Sequence, residues 1–132
     1  MTPEAVADLL RARGCSITGP RRAILEFLCF NETHPTAAEV FLAVTETEPQ
    51  ASRATVYNTL GLLSELGVIR AFRVGESETR FDPNTAFHHH LVCPACGAIS
   101  DLGAEQVEVR VGGAIAPGAR VQLDQNCLRC PA

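Results

Sequence analysis

Apolar residues recur at helical spacing through the first half of the chain and at alternating spacing after it. Val6, Leu9 and Leu10 share one face of residues 3–13, with Thr2 placed as N-cap, Pro3 at the first helical position and Gly14 as the stop. Thr18-Gly-Pro20 opens a second helix carrying Ile24, Phe27 and Leu28, which Asn31 to Pro35 breaks. Thr36 caps a third helix through about Thr45, with Val40, Phe41 and Val44 inward. Ser52 caps a fourth, Arg53 to Leu66, with Val56, Leu60 and Leu63 at helical spacing and Gly67 at its end. The period then changes to two. Val68–Val74, a turn at 75–78 and Thr79–Asp82 predict a β-hairpin. Four short helices followed by a two-stranded hairpin is the order of a winged helix-turn-helix. Residues 82–86 (Asp-Pro-Asn-Thr-Ala) predict a linker, so the chain divides into 1–83 and 84–132.

Within that frame the fourth helix is the candidate recognition helix. Its apolar positions turn to the core and leave Arg53, Thr55, Tyr57 and Asn58 outward. Asn can read adenine with paired hydrogen bonds, Tyr and Thr suit phosphate, and the helix N-terminus favours an anion. Arg21 and Arg22, opening the second helix, are candidate backbone contacts. The net charge of −4 argues weakly against nucleic acid, but contact with phosphate needs only a local basic face. From Ala51 to Ser64 the one charged residue is Arg53, and all 11 cationic side chains of the chain are Arg. The start of the chain lacks a signal-peptide pattern, and no stretch approaches the ~20 apolar residues of a membrane span. A cytoplasmic location is therefore expected, where cysteine pairs bind metal more often than they form disulfides.

The second half is arranged around Phe87-His-His-His-Leu-Val-Cys-Pro-Ala-Cys-Gly97. Cys93 and Cys96 form one Cys-x-x-Cys pair, and Cys127 and Cys130 form another, thirty residues on. Two such pairs predict a closed tetrahedral zinc site, each short turn presenting two thiolates. A saturated four-sulfur site leaves the histidines for something else. In a strand, His88 and His90 share a face and His89 points the other way, which predicts a second site for a first-row transition ion. Cys15 and Cys29 lie outside the pairs and read as small buried apolar residues.

Ala54-Thr-Val-Tyr57, His34-Pro-Thr-Ala37, Arg80-Phe-Asp82 and His88-x-His90-Leu-Val-Cys93-x-x-Cys96-Gly97 together resemble the ferric uptake regulator family, from about Val6 to Leu102. The resemblance implies an α+β protein: an N-terminal winged helix-turn-helix, then a small α/β zinc-binding dimerisation domain. It implies a metal-dependent transcriptional repressor that binds double-stranded operator DNA as a homodimer, and no enzyme. It also implies a regulatory Fe²⁺ or Mn²⁺ held by His34, Asp82, His88, His90 and Asp101, beside structural Zn²⁺. Both carboxylates are Asp, as in the peroxide-sensing branch. There bound Fe²⁺ reacts with hydrogen peroxide and an adjacent histidine, here His34 or His88, is oxidised, whereas Mn²⁺ lacks that chemistry. A manganese- or iron-uptake regulator with the same ligands is the rival reading.

The chain departs from the family pattern in three places. Thr18-Gly-Pro-Arg21 replaces the usual Thr-x-Gln-Arg, and Phe87 replaces a frequent His, which argues against an additional metal site. After Asp101 the C-terminus is several residues short. Val107–Val111 alternates like a strand, Gly112, Gly113, Pro117 and Gly118 disfavour the family's helix, and residues 121–126 run directly into Cys127. A hydrolase would need an open coordination position and a placed general base. No His-Glu-x-x-His motif supplies them, and Glu76 and Glu78 lie in a hairpin turn.

Overall fold

The computed structural model describes residues 2–31, 33–127 and 130. The chain forms two compact units, Met1–Thr85 and Ala86–Ala132. The first holds four helices, α1 (Pro3–Ala12), α2 (Gly19–Cys29), α3 (Ala37–Thr47) and α4 (Arg53–Glu65), followed by β1 (Arg70–Phe72) and β2 (Arg80–Asp82).

Each helix begins where a hydroxyl can satisfy a backbone N–H that the helix itself cannot. The side chains of Thr2, Thr18, Thr36 and Ser52 accept from the N–H of Ala5, Arg21, Glu39 and Thr55, at 3.1–3.3 Å. The stripes that the sequence predicts then meet in one core: Val6 and Leu10 of α1, Ile24, Leu25 and Leu28 of α2, Val40 and Val44 of α3, and Val56, Leu60 and Leu63 of α4. Leu9, expected inward, is half exposed instead. α3 runs two residues beyond the expected Thr45.

The strands are shorter than expected. β1 and β2 pair antiparallel over three residues, Arg70 with Asp82 and Phe72 with Arg80. The outer part of the 68–82 hairpin carries no ladder: residues 74–77 form a turn, with Ser77 N–H donating to Val74 O. β2 is held on its other side by the loop before α3. Phe81 N–H donates to Pro35 O at 2.9 Å, and Thr36 bridges Arg80.

The second unit is built on a three-stranded sheet in the order β4-β3-β7. β3 (His88–Val92) pairs antiparallel with β4 (Ile99–Gly103) and parallel with β7 (Gln122–Asp124). Between β4 and β7 lie a single 3-10 turn (Ala104–Gln106) and a hairpin of β5 (Arg110–Val111) and β6 (Ala114–Ile115). The strand expected over 107–111 therefore shrinks to its last two residues. Its alternation survives without the ladder: Val107 and Val109 are half-buried while Glu108 and Arg110 are exposed. Gly112 and Gly113 make the two-residue turn, both at positive φ (60° and 85°), the backbone a tight hairpin of this hand requires.

Candidate metal centres and DNA-facing helix

The zinc candidate is built from strand ends. β3 runs directly into Cys93, and a tight turn closed by Gly97 N–H donating to Cys93 O (2.8 Å) brings Cys96 back beside it. Gly97 adopts φ 77°, a conformation open to glycine at little cost. On the neighbouring strand, Gln125 N–H donates to Val92 O, extending β7's pairing so that Cys127 arrives opposite Cys93. The sulfurs of Cys93, Cys96, Cys127 and Cys130 all lie within 4.8 Å of one another. The Cys96–Cys127 separation is 3.7 Å, far beyond a bonded S–S of about 2.05 Å. It matches the roughly 3.8 Å edge of a tetrahedron with Zn–S near 2.3 Å. The donor set and its spacing fit zinc.

These thiols also polarise one another. The backbone N–H groups of Cys127 and Cys96 hold the Cys93 thiol down to about 6, and Cys127 N lies 3.4 Å from its sulfur. Burial, with hydrogen bonds from the neighbouring thiols, pushes Cys130 up to about 12. Cys93 is thus the sulfur most ready to meet a cation as thiolate, and a bound cation must displace the proton held at Cys130.

The same strand carries the histidines. His88 and His90 are buried on one face, with their Nε2 atoms 3.2 Å apart. The β3–β4 register places Asp101 directly opposite His90, so its Oδ1 lies 3.4 Å from His88 Nε2 and 3.3 Å from His90 Nε2. Three donors at 3.2–3.4 Å resemble adjacent ligands of a first-row ion, whose bonds near 2.1 Å set neighbouring donors about 3.0 Å apart. His88 Nδ1 lies 2.6 Å from Ala86 O, the kind of backbone partner that orients a ligating imidazole. His89 points the other way, where its Nδ1 accepts from Val121 N–H at 3.0 Å.

In the first unit the structure brings His34 and Asp82 together. His34 Nε2 is 3.5 Å from Asp82 Oδ2, and both side chains are buried. The stitching of residues 35–36 onto 80–81 produces this proximity. Arg80, which the sequence reading used only as part of a motif, adds a guanidinium bond to His34 O at 3.1 Å. Its signal was strand alternation, which sets Arg80 and Asp82 on one side of Phe81. His34 itself has φ 57°, a left-handed backbone uncommon outside glycine, directly before Pro35. The Phe72 ring meets the imidazole edge-on at 5.8 Å.

α4 buries Val56, Thr59, Leu60 and Leu63 and exposes Arg53, Tyr57 and Asn58. Tyr57 is 55% exposed, an unusual amount for an aromatic residue with no assigned partner surface. Arg53 stacks its guanidinium over Phe41 at 4.6 Å, which holds it near the helix start. Thr55 is less available, since its hydroxyl accepts from Ser52. The two arginines of α2, the candidate phosphate contacts, also have partners within the protein. Arg21 bonds Ser16 O at 2.8 Å, and Arg22 pairs with Glu4 of α1 at 2.6 Å.

Residues 12–121 match the model of the ferric uptake regulator family. The chain belongs to that family. It is 40% identical to the peroxide-responsive repressor PerR of Staphylococcus aureus over 104 residues, which cover 79% of this chain and 70% of that protein. Among solved structures it is similar to the Campylobacter jejuni peroxide stress regulator (25% identity, TM-score 0.68, covering 93% of this chain and 97% of that one). The Helicobacter pylori ferric uptake regulator shares the fold at 17% identity, with a TM-score of 0.76 over 98% of this chain and 94% of that one. This member of the family is a regulator and not an enzyme. Among the described residues no helix is long and apolar enough to cross a membrane.

Proposed function

We propose that this family member is a peroxide-responsive, metal-dependent transcriptional repressor acting as a homodimer on operator DNA in the cytoplasm. Zn²⁺ is held by Cys93, Cys96, Cys127 and Cys130 and serves the fold of residues 84–132. Fe²⁺ or Mn²⁺ is taken by His34 and Asp82 from the winged-helix domain, residues 1–83, and by His88, His90 and Asp101 from the second domain. What supports the peroxide reading is that the carboxylates beside the histidines, Asp82 next to His34 and Asp101 next to His88 and His90, are both Asp. The identity to a peroxide-responsive repressor supports it.

When bound, Fe²⁺ supplies the electron that activates hydrogen peroxide, and Mn²⁺ does not. The chain's own residues do the rest. Asp82 and Asp101 bring the anionic oxygens that favour a hard divalent ion over a soft one. His34 and His88 are the side chains that would take the oxygen. Because ligands come from both domains, occupancy favours one relative placement of them, and loss of a ligand weakens that bias. In that placement the two copies of α4 reach successive turns of the major groove, with Arg53, Tyr57 and Asn58 toward the DNA. Thr55 bears on the helix start, and Arg21 and Arg22 lie toward the phosphate backbone.

Selection of duplexes from a random pool by the zinc- and Mn²⁺-loaded protein tests this. A recovered site with two half-sites about one helical turn apart is expected, bound weakly or not at all by Tyr57→Ala and Arg53→Ala. Retention of specific binding by both variants would remove α4 from the interface. A manganese-uptake regulator would bind the same kind of duplex, and its response to peroxide separates the two.

A further inference from the structure

His34 lies in the loop between α2 and α3, yet its side chain is buried. Its φ of 57° is in the left-handed region. A residue with a side chain adopts that backbone at a cost, and keeps it where the surrounding structure imposes it. Pro35 restricts His34 further, since the proline ring crowds the backbone of the residue before it. This backbone directs the imidazole: Nε2 lies 3.5 Å from Asp82 Oδ2, and a relaxed φ would swing the ring away.

β2 imposes the conformation from successive positions. Phe81 N–H donates to Pro35 O at 2.9 Å, and Thr36 bridges Arg80. Thr36 is also held from its other side, where its hydroxyl caps α3 by accepting from Glu39 N–H. These ties fix residues 35 and 36. Arg80 reaches His34 itself, with Nη1 donating to His34 O at 3.1 Å across 46 positions of sequence. The Arg80 side chain is 27% exposed, so this charge-assisted bond is partly shielded from water and outlasts a surface contact. Glu39 Oε1 stands farther from the same nitrogen, at 3.9 Å, on a half-exposed side chain, and adds little. Strand alternation sets Arg80 and Asp82 on one side of β2. One three-residue strand thus carries both the group that holds the His34 backbone and the carboxylate beside its ring.

We propose that, on the metal-dependent reading above in which His34 and Asp82 are ligands, Arg80 is a positioning residue for the regulatory metal. It acts through the His34 carbonyl, holding the imidazole where it can ligate, and does not touch the ion. Its contribution is preorganisation: without it, the loop before α3 must be ordered at the moment of binding, and affinity falls.

Mn²⁺ is the probe, titrated by calorimetry into the zinc-loaded full chain and into Arg80→Met, which keeps an unbranched side chain and loses the donors. Affinity should fall roughly tenfold or more, the usual effect of removing a group that orients a ligand, with zinc content unchanged. A double-mutant cycle supplies a readout that general destabilisation would not move. Because Arg80 acts through His34, adding Arg80→Met to His34→Ala should cost no more than about a further twofold. Arg80→Lys retains one cationic donor, enough for a single carbonyl, and should recover part of the loss. Thr2→Ala removes a helix cap in the same unit and should leave Mn²⁺ affinity unchanged. Undiminished affinity in Arg80→Met, the full loss recurring in the His34→Ala background, no recovery in Arg80→Lys, or an equal loss in Thr2→Ala would each overturn the proposal. Weakened DNA binding by Arg80→Met with Mn²⁺ affinity intact would make Arg80 a phosphate contact and overturn it as well. Asp82→Ala separates this from the metal reading beneath it. Mn²⁺ bound as tightly by Asp82→Ala as by the unaltered chain would remove both, whereas loss in Asp82→Ala with none in Arg80→Met would remove the role of Arg80 alone.

Discussion

Asp101 shows how a single register decides chemistry. It lies opposite His90 in the β3–β4 ladder, which brings one carboxylate within 3.4 Å of two imidazoles. Asp101→Ala should therefore weaken Mn²⁺ binding by at least tenfold, comparable with loss of a metal ligand's partner, while zinc content stays unchanged. Titration calorimetry with parallel metal analysis checks this, and equal affinity would remove Asp101 from the set. Cys127→Ser, by contrast, takes one sulfur from the four-thiol cluster and should abolish tight zinc binding, with loss of amide dispersion across residues 86–127. Cys29 provides the control. Burial raises its thiol pKa, so it stays protonated at neutral pH and should alkylate slowly, and Cys29→Ser should leave zinc in place. The cysteine pairs and the shared face of His88 and His90 were legible because both follow from local spacing. The hydrogen bond of His89 was not legible, because its partner Val121 is thirty-two residues away.

At the scale of elements, the four helices of the first unit were readable because each carries its own cap and apolar stripe. Ser52→Ala should cost about 1 kcal/mol, the usual loss for an N-cap hydroxyl, read as a lowered denaturation midpoint. Leu60 is buried between helices, and Leu60→Ala should cost about 2–5 kcal/mol. Tyr57→Ala should barely change stability, since the ring is half exposed, yet should weaken DNA binding. A Tyr57→Ala protein with reduced stability and unchanged DNA affinity would contradict the assignment. The strands were harder to read. β1 and β2 contract to three residues each because their ladder ends where the turn residues begin. Val107 to Val111 alternates for burial, but only Arg110 and Val111 find a partner strand. The parallel pairing of β7 with β3 joins segments far apart in sequence, where local pattern carries no information about the partner.

At the scale of the molecule, the chain follows the ferric uptake regulator family through most of its length. The short C-terminal segment holds a 3-10 turn and a two-residue hairpin between β4 and β7, where the family's usual helix was not expected from so many glycines and prolines. Residues of that segment, from Ala104 to Ala119, line an open cavity together with Phe87 and His89. Iron and manganese loading separate a peroxide-responsive repressor from a metal-uptake regulator. The decisive measurement is operator binding by the zinc-loaded protein with Fe²⁺ or Mn²⁺, before and after hydrogen peroxide, with mass analysis of the peptides containing His34 and His88. Both metals should support binding, and peroxide should abolish only the iron form, adding one oxygen to one of those peptides. Binding by the iron form that persists through peroxide, with both histidines unmodified, would contradict the account and leave a metal-uptake regulator.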